Sequence, residues 1–148
     1  MNDFMAEELA AREPSTAFVH SYPSVVMSGA ARELPLWARA AFKVFTPIIS
    51  PFAVSLEETG ARQLFIATSG MYPPGKPAAG SAATAAGVPV PKGEAVLKGL
   101  DGKVGSGGYA VNWDGKITGK KSILDEYHAK GVGKIVWEHT MGVFERVK

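Results

Sequence analysis

The chain has 148 residues, 46% of them hydrophobic and 20% charged, with 16 Lys and Arg against 14 Asp and Glu. That length suits one compact domain over 1–148, and a net charge of +2 is too small and too evenly spread to suggest nucleic-acid or membrane-surface binding. Without cysteine there is no disulfide framework, no thiolate nucleophile and no zinc–sulfur site. Residues 1–12 carry Asp3, Glu7 and Glu8 where a signal peptide needs a basic start and an apolar core. The longest apolar stretch, Leu34 to Val54, holds Arg39, Lys43 and three prolines, so no membrane span and a cytoplasmic location are expected.

Residues 3–12 read as a short helix capped by Asn2 or Asp3 and ended at Glu13-Pro14. Thr16 to Tyr22 is β-rich and stops at Pro23, the pattern of a strand buried on both faces. Leu36 to Ile48 places Trp37, Ala41, Val44, Phe45 and Ile48 against Arg39 and Lys43, an amphipathic helix whose end is marked by Pro47 and Pro51. Such a segment can lie on a membrane, form a lid over an apolar ligand, or face an ordinary core. From Ser55 to Thr68 a third helix is expected, with Ser55 as cap and Glu58 completing a capping box.

Residues 72–93 are almost entirely Pro, Ala, Gly and small polar residues, and read as a long surface loop, with a domain linker as the other reading. After it, Gly105 to Gly108 marks a bend, Tyr109 to Trp113 a short strand, and Asp114-Gly115 a tight turn from which Lys116 to Thr118 can return as a hairpin. Ser122 to Lys130 is expected as a helix with Ser122 as cap and Gly131 at its stop. Lys134 to Lys148 forms the last helix, with Val136, Trp137, Thr140, Met141, Phe144 and Val147 inward. The fold class is therefore α/β, with two short strands and about five helices.

Several motif matches fail on context. Tyr72 and Lys76 have the spacing that reductases place on a helix, but Pro73 and Pro74 forbid that helix. The glycines at 105–108 precede a strand, where a dinucleotide turn must follow one and open a helix. Gly119-Lys120-Lys121-Ser122 has no strand leading into it and is no P-loop. None of the three histidines has another at helical spacing, so no metal site is expected. His128 reads as part of a solvated helix face and His139 as a boundary residue. His20, with Tyr22, stands at a strand's carboxyl end, where α/β sites gather; a structural role is the competing reading.

Taken in order, residues 8–26, 55–69, 101–109 and 132–147 resemble the C-terminal half of a fungal-type short-chain dehydrogenase/reductase, and the resemblance extends over essentially the whole chain. It implies a partial Rossmann-like fold completed by oligomerisation, with Thr16 to Tyr22 as the sixth strand of that fold. By the same resemblance Pro23, Val25 and Ser28 lie where the family's loop meets the nicotinamide, with Ser24 where glycine is usual. Leu34 to Pro51 corresponds to the substrate-covering region, with Trp37, Ala41 and Phe45 as substrate-binding candidates. The family's N-terminal glycine turn and its catalytic Tyr, Lys and Ser have no counterpart in these residues.

The functional expectation is therefore a truncated, redox-inactive relative from secondary metabolism that binds a small apolar molecule. Catalysis, where it occurs, is a cofactor-independent isomerisation, cyclisation or dehydration with His20, Tyr22 and His139 as candidates. NAD(P) enters only if a missing N-terminal half is supplied, which makes the chain part of an NAD(P)-dependent oxidoreductase in the second reading. The third reading is a non-catalytic interaction module that dimerises or docks on an intact relative. The open strand edge 17–20, helix 3–12 and Trp37 are expected to be covered by another protomer, giving a homodimer, or by local refolding.

Overall fold

The computed structural model describes residues 2–26, 32–76 and 87–147, apart from the side chain of Phe52. In chain order the elements are α1 (Asn2–Arg12), β1 (Phe18–Ser21), α2 (Leu36–Ile49), a 3-10 turn (Ser50–Phe52), α3 (Leu56–Thr68), β2 (Gly108–Val111), α4 (Lys121–Ala129) and α5 (Val132–Val147). β1 and β2 pair in parallel, with Phe18 opposite Gly108 and Ser21 opposite Val111.

Side chains on a strand alternate between its faces, and both faces of this pair are covered. Val19, Tyr109 and Val111 pack with Ile66 and Phe65 of α3 and with Met71 and Tyr72. On the other face Phe18 and Ala110 meet Ala6 of α1, Leu100 and Leu124 of α4. α5 packs behind α1, where Arg12 stacks over the Trp137 ring at 4.0 Å. α1 reaches the sheet because β2 opens on glycine: a Cβ at Gly108 would stand 3.1 Å from the Glu7 Cα and 3.3 Å from the Ala10 Cβ.

The outer edge of β2 is closed by backbone hydrogen bonds from Leu100 to Gly108 and from Thr118 to Ala110. The outer edge of β1 pairs with no strand among the described residues. Helix 3–12, expected to be covered by another protomer or by local refolding, buries Phe4, Ala6 and Ala10 within its own chain.

α2 departs from expectation in two ways. Pro47 lies inside the helix, which continues to Ile49, so that proline removes one rung of hydrogen bonding without ending the element. The helix also has no buried residue, which excludes the core-facing reading for the described residues. The excursion that carries it leaves β1 at Tyr22 and rejoins at Val54, whose N–H donates to the Val25 carbonyl at 2.8 Å.

Other boundaries were displaced by packing. The segment expected as a surface loop from residue 72 begins in the core, with Tyr72 almost fully buried. Its far end is pinned by a parallel bridge between Ser69 and Val88. The Asp114-Gly115 turn forms, and Val111 meets Ile117 in a single antiparallel bridge rather than a full hairpin. α4 begins at Lys121, one residue earlier than expected, and Ser122 lies inside it instead of capping it. Gly131 stops α4 in the left-handed region at φ +65°, and α5 follows at once. Of the six residues expected inward on α5, Val136 is buried, whereas Phe144 and Val147 are exposed.

Candidate functional site

In open α/β sheets ligands sit at the carboxyl ends of the strands. Here those ends are Ser21-Tyr22 and Val111-Asn112-Trp113, and Gln63 and Arg62 of α3 bond to one end each. Ser55 caps α3 as expected, its Oγ accepting from the Glu58 N–H at 3.1 Å. The reciprocal half of the capping box is replaced by an ion pair, since the Glu58 carboxylate turns to Arg62 one helical turn on. Ser21 Oγ donates to Gln63 Oε1 at 2.9 Å and ties the end of β1 to the same helix.

Arg62 is held by three contacts. It donates to the Trp113 carbonyl at 3.0 Å, pairs with Glu58, and stacks over the Trp113 ring with its guanidinium carbon 4.4 Å from the centroid. Beside it a cleft of about 430 Å³ is lined by Glu58, Ala61, Phe65, Ile66, Trp113 and Asp114, with Arg62 and Gly115 completing the wall. Its surface is mainly hydrocarbon and aromatic ring. The guanidinium has five donors in all, so it has donors beyond the two already engaged.

The floor of this region is held by two tyrosines. Tyr72 Oη donates to the Gly115 carbonyl at 2.8 Å and fixes the turn that carries Asp114. Tyr109 Oη donates to the Pro73 carbonyl at 2.6 Å, and the two rings meet edge to face at 5.7 Å. Burial, with the Asp114 charge adding to it, raises the Tyr72 phenol above its ordinary value. Burial also raises that of Tyr109, against the lowering effect of the Gly107 N–H and with Asp101 adding to the rise. Both phenols are therefore donors at neutral pH and serve as fixed structural groups.

The residues singled out in the sequence are not assembled into one centre. His20 Nδ1 lies 2.5 Å from Asp3 Oδ1, so it joins β1 to α1. Tyr22 is 56% exposed, and its N–H extends the ladder to the Val111 carbonyl. His139 is exposed on α5, remote in sequence and element from both. Trp37, Ala41 and Phe45 share one stripe of α2 and are all exposed; none lines the four described cavities. Pro23 and Val25 are exposed, and Ser28 falls outside the described residues. His128, expected on a solvated face, instead lies with Nε2 2.8 Å from Glu7 Oε2 and its ring edge-on to Phe4.

Sequence reasoning missed Arg62, Trp113 and Tyr72. The Glu58 to Arg62 spacing was the available signal for the first. No group of three or more potential ligands for a metal occurs among the described residues.

A dinucleotide needs a strand that runs through a glycine turn straight into a helix, so that the pyrophosphate meets the helix N-terminus. Neither strand here does so. β1 passes into the Tyr22–Val26 segment and its excursion, and β2 into the turn at Asn112–Gly115. The described residues do not fit a pyrophosphate cradle.

No family model matches the chain, and no solved structure does. The chain is similar to fungal oxidoreductases. It is 32% identical over 148 residues to the oxidoreductase AN1596 of Emericella nidulans, across 99% of this chain and 43% of that protein. Against the oxidoreductase andH of Emericella variicolor it is 32% identical over 152 residues, 99% of this chain and 42% of the relative. The short-chain dehydrogenase/reductase SAT2 of Stachybotrys chartarum is 24% identical over 148 residues, 99% and 40%. A fungal family of the short-chain dehydrogenase/reductase type fits these relatives, and the chain spans less than half the length of each.

Proposed function

We propose that these residues form the substrate side of a Rossmann-like oxidoreductase fold and bind a small apolar molecule bearing a carbonyl or hydroxyl oxygen. The observation that carries this reading is the cleft at the carboxyl end of β2, whose apolar walls are already apposed and whose rim holds an immobilised guanidinium. Its volume is in the range that takes a small ligand, and preformed walls cost little ordering on binding. The oxygen of the ligand accepts from Arg62, and the hydrocarbon body lies against Phe65, Ile66 and the Trp113 ring. The names of the relatives, all oxidoreductases, support a substrate of that class.

These residues alone do not bind NAD(P) or transfer hydride in this reading. Chemistry performed without nucleotide is proton transfer, with the Glu58 carboxylate at the cleft taking a proton from carbon and returning it either to another carbon, as in isomerisation, or to a departing hydroxyl that leaves as water, as in dehydration. Titration with a panel of alkyl-substituted cyclohexanones, followed by thermal unfolding, tests the site. A saturable rise in Tm is expected, and Ala61→Trp, which fills the cleft from an exposed helical position, removes it. An undiminished rise in that variant refutes the assignment.

A second reading is favoured by the unpaired outer edge of β1. In it, nucleotide-binding strands from another polypeptide segment pair with that edge, and the assembled protein transfers hydride to the molecule held in the cleft. A rise in Tm with NADPH only in the presence of such a segment would distinguish it.

A further inference from the structure

We propose that α2 is an in-plane anchor that seats in the headgroup region of an anionic lipid bilayer. This goes beyond the small-molecule site, because no residue of α2 lines the cleft beside Arg62. Leu36, Trp37, Val44 and Ile48 are between 65% and 82% exposed, and no residue of α2 is buried.

The chemistry of the helix selects its partner. Between Glu33 and Glu57 the chain carries Arg39 and Lys43 and no acid. At roughly 100° per residue, apolar side chains sweep about 240° of α2, from Leu36 round to Phe42. Arg39, Lys43 and Thr46 share the narrow remaining stripe. A protein groove takes a stripe of about 100° or somewhat more, so one groove leaves much of this arc wet. At a bilayer surface the arc sinks to the acyl boundary, while the two cations extend along the helix to reach anionic phosphates. A helix of 14 residues is about 21 Å long, short of the roughly 30 Å hydrocarbon core, so α2 lies in the surface and does not cross it. The small net charge of the whole chain conceals this property, because the attraction is local to one helix.

The test is co-sedimentation of the full chain with phosphatidylcholine vesicles, with and without phosphatidylglycerol. The wild-type protein is expected to pellet with the anionic vesicles. Phe45→Glu lowers that partition at least about tenfold, by removing an aromatic side chain from the apolar layer. The double variant Arg39→Gln/Lys43→Gln lowers it about thirtyfold and erases the preference for anionic lipid. All three positions are exposed, so unfolding temperatures unchanged from wild type establish that the variants fold. Wild-type protein left in the supernatant with anionic vesicles overturns the proposal, as does equal pelleting of Phe45→Glu. A concentration-dependent dimer that Phe45→Glu abolishes, without vesicle binding, assigns the face to a second copy and also overturns it. The cyclohexanone titration contains no vesicles, so failure of either reading leaves the other standing.

Discussion

Tyr109→Phe removes one oxygen from a fully buried side chain of the core. Tyr109 is 0% exposed, and its hydroxyl donates to the Pro73 carbonyl at 2.6 Å while lying 3.4 Å from the Gly107 nitrogen. Phenylalanine keeps the ring and its edge-to-face contact with Tyr72, so hydrocarbon packing is conserved. What is lost is the partner of a half-buried carbonyl and of a buried N–H. Leaving buried polar groups unpaired costs about 1–3 kcal/mol, and with one strong and one weak bond involved we expect about 2 kcal/mol. For a chain of this length that is a fall in Tm of roughly 6 °C. Differential scanning calorimetry on the two proteins reads it directly. An unchanged Tm would mean that Pro73 is not held against the core, and that the segment after Tyr72 is the free surface loop its composition suggests.

Ser24 adopts φ +66°, where a side chain is strained and glycine is not. Ser24→Gly is expected to stabilise by about 0.5 kcal/mol after the entropy of the freer unfolded chain is subtracted, and Ser24→Val to destabilise by about 1 kcal/mol or more, both read by urea unfolding. Glu7→Gln and His128→Ala should be non-additive, with a coupling of about 1 kcal/mol in a double-mutant cycle, because the two side chains are partly shielded and within hydrogen-bond distance. Alkaline stability follows from the two phenols. Their folded values lie above the unfolded value of about 10, so the unfolded chain loses its protons first. Their contribution is intact below about pH 10 and falls above it, by up to about 1.4 kcal/mol per pH unit for each tyrosine, until the folded groups ionise. Tyr72→Phe should flatten that slope, and an unchanged slope would remove Tyr72 as its source.

The elements with local signals were readable from the residues. Glu13-Pro14 stops α1, Ser55 caps α3, Asp114-Gly115 turns the chain, and Gly131 separates α4 from α5, each through a bond or dihedral made within a few residues. The parallel pairing of β1 with β2 joins residues about 90 positions apart, and period alone does not report it. Composition misled at residue 72, because Met71 and Tyr72 are drawn into the core by Tyr109 and Val111, which lie far along the chain. His128 was read by its helix, and Glu7 at the other end of the chain decided its surroundings. The cleft was missed for the same reason. Glu58 and Arg62 form a recognisable pair on one helix, but Trp113, on which Arg62 stacks, comes from the end of the other strand.

The most direct test of the account is thermal unfolding of one preparation with NADPH and, separately, with an alkyl-substituted cyclohexanone. A ligand at a hundred times its Kd stabilises by about 2.7 kcal/mol, a shift of several degrees in a chain of this size. A rise with the ketone that Ala61→Trp abolishes, and no rise with NADPH, is the predicted result. A rise with NADPH and none with the ketone would place a nucleotide site in these residues and contradict the assignment of the Arg62–Trp113 cleft.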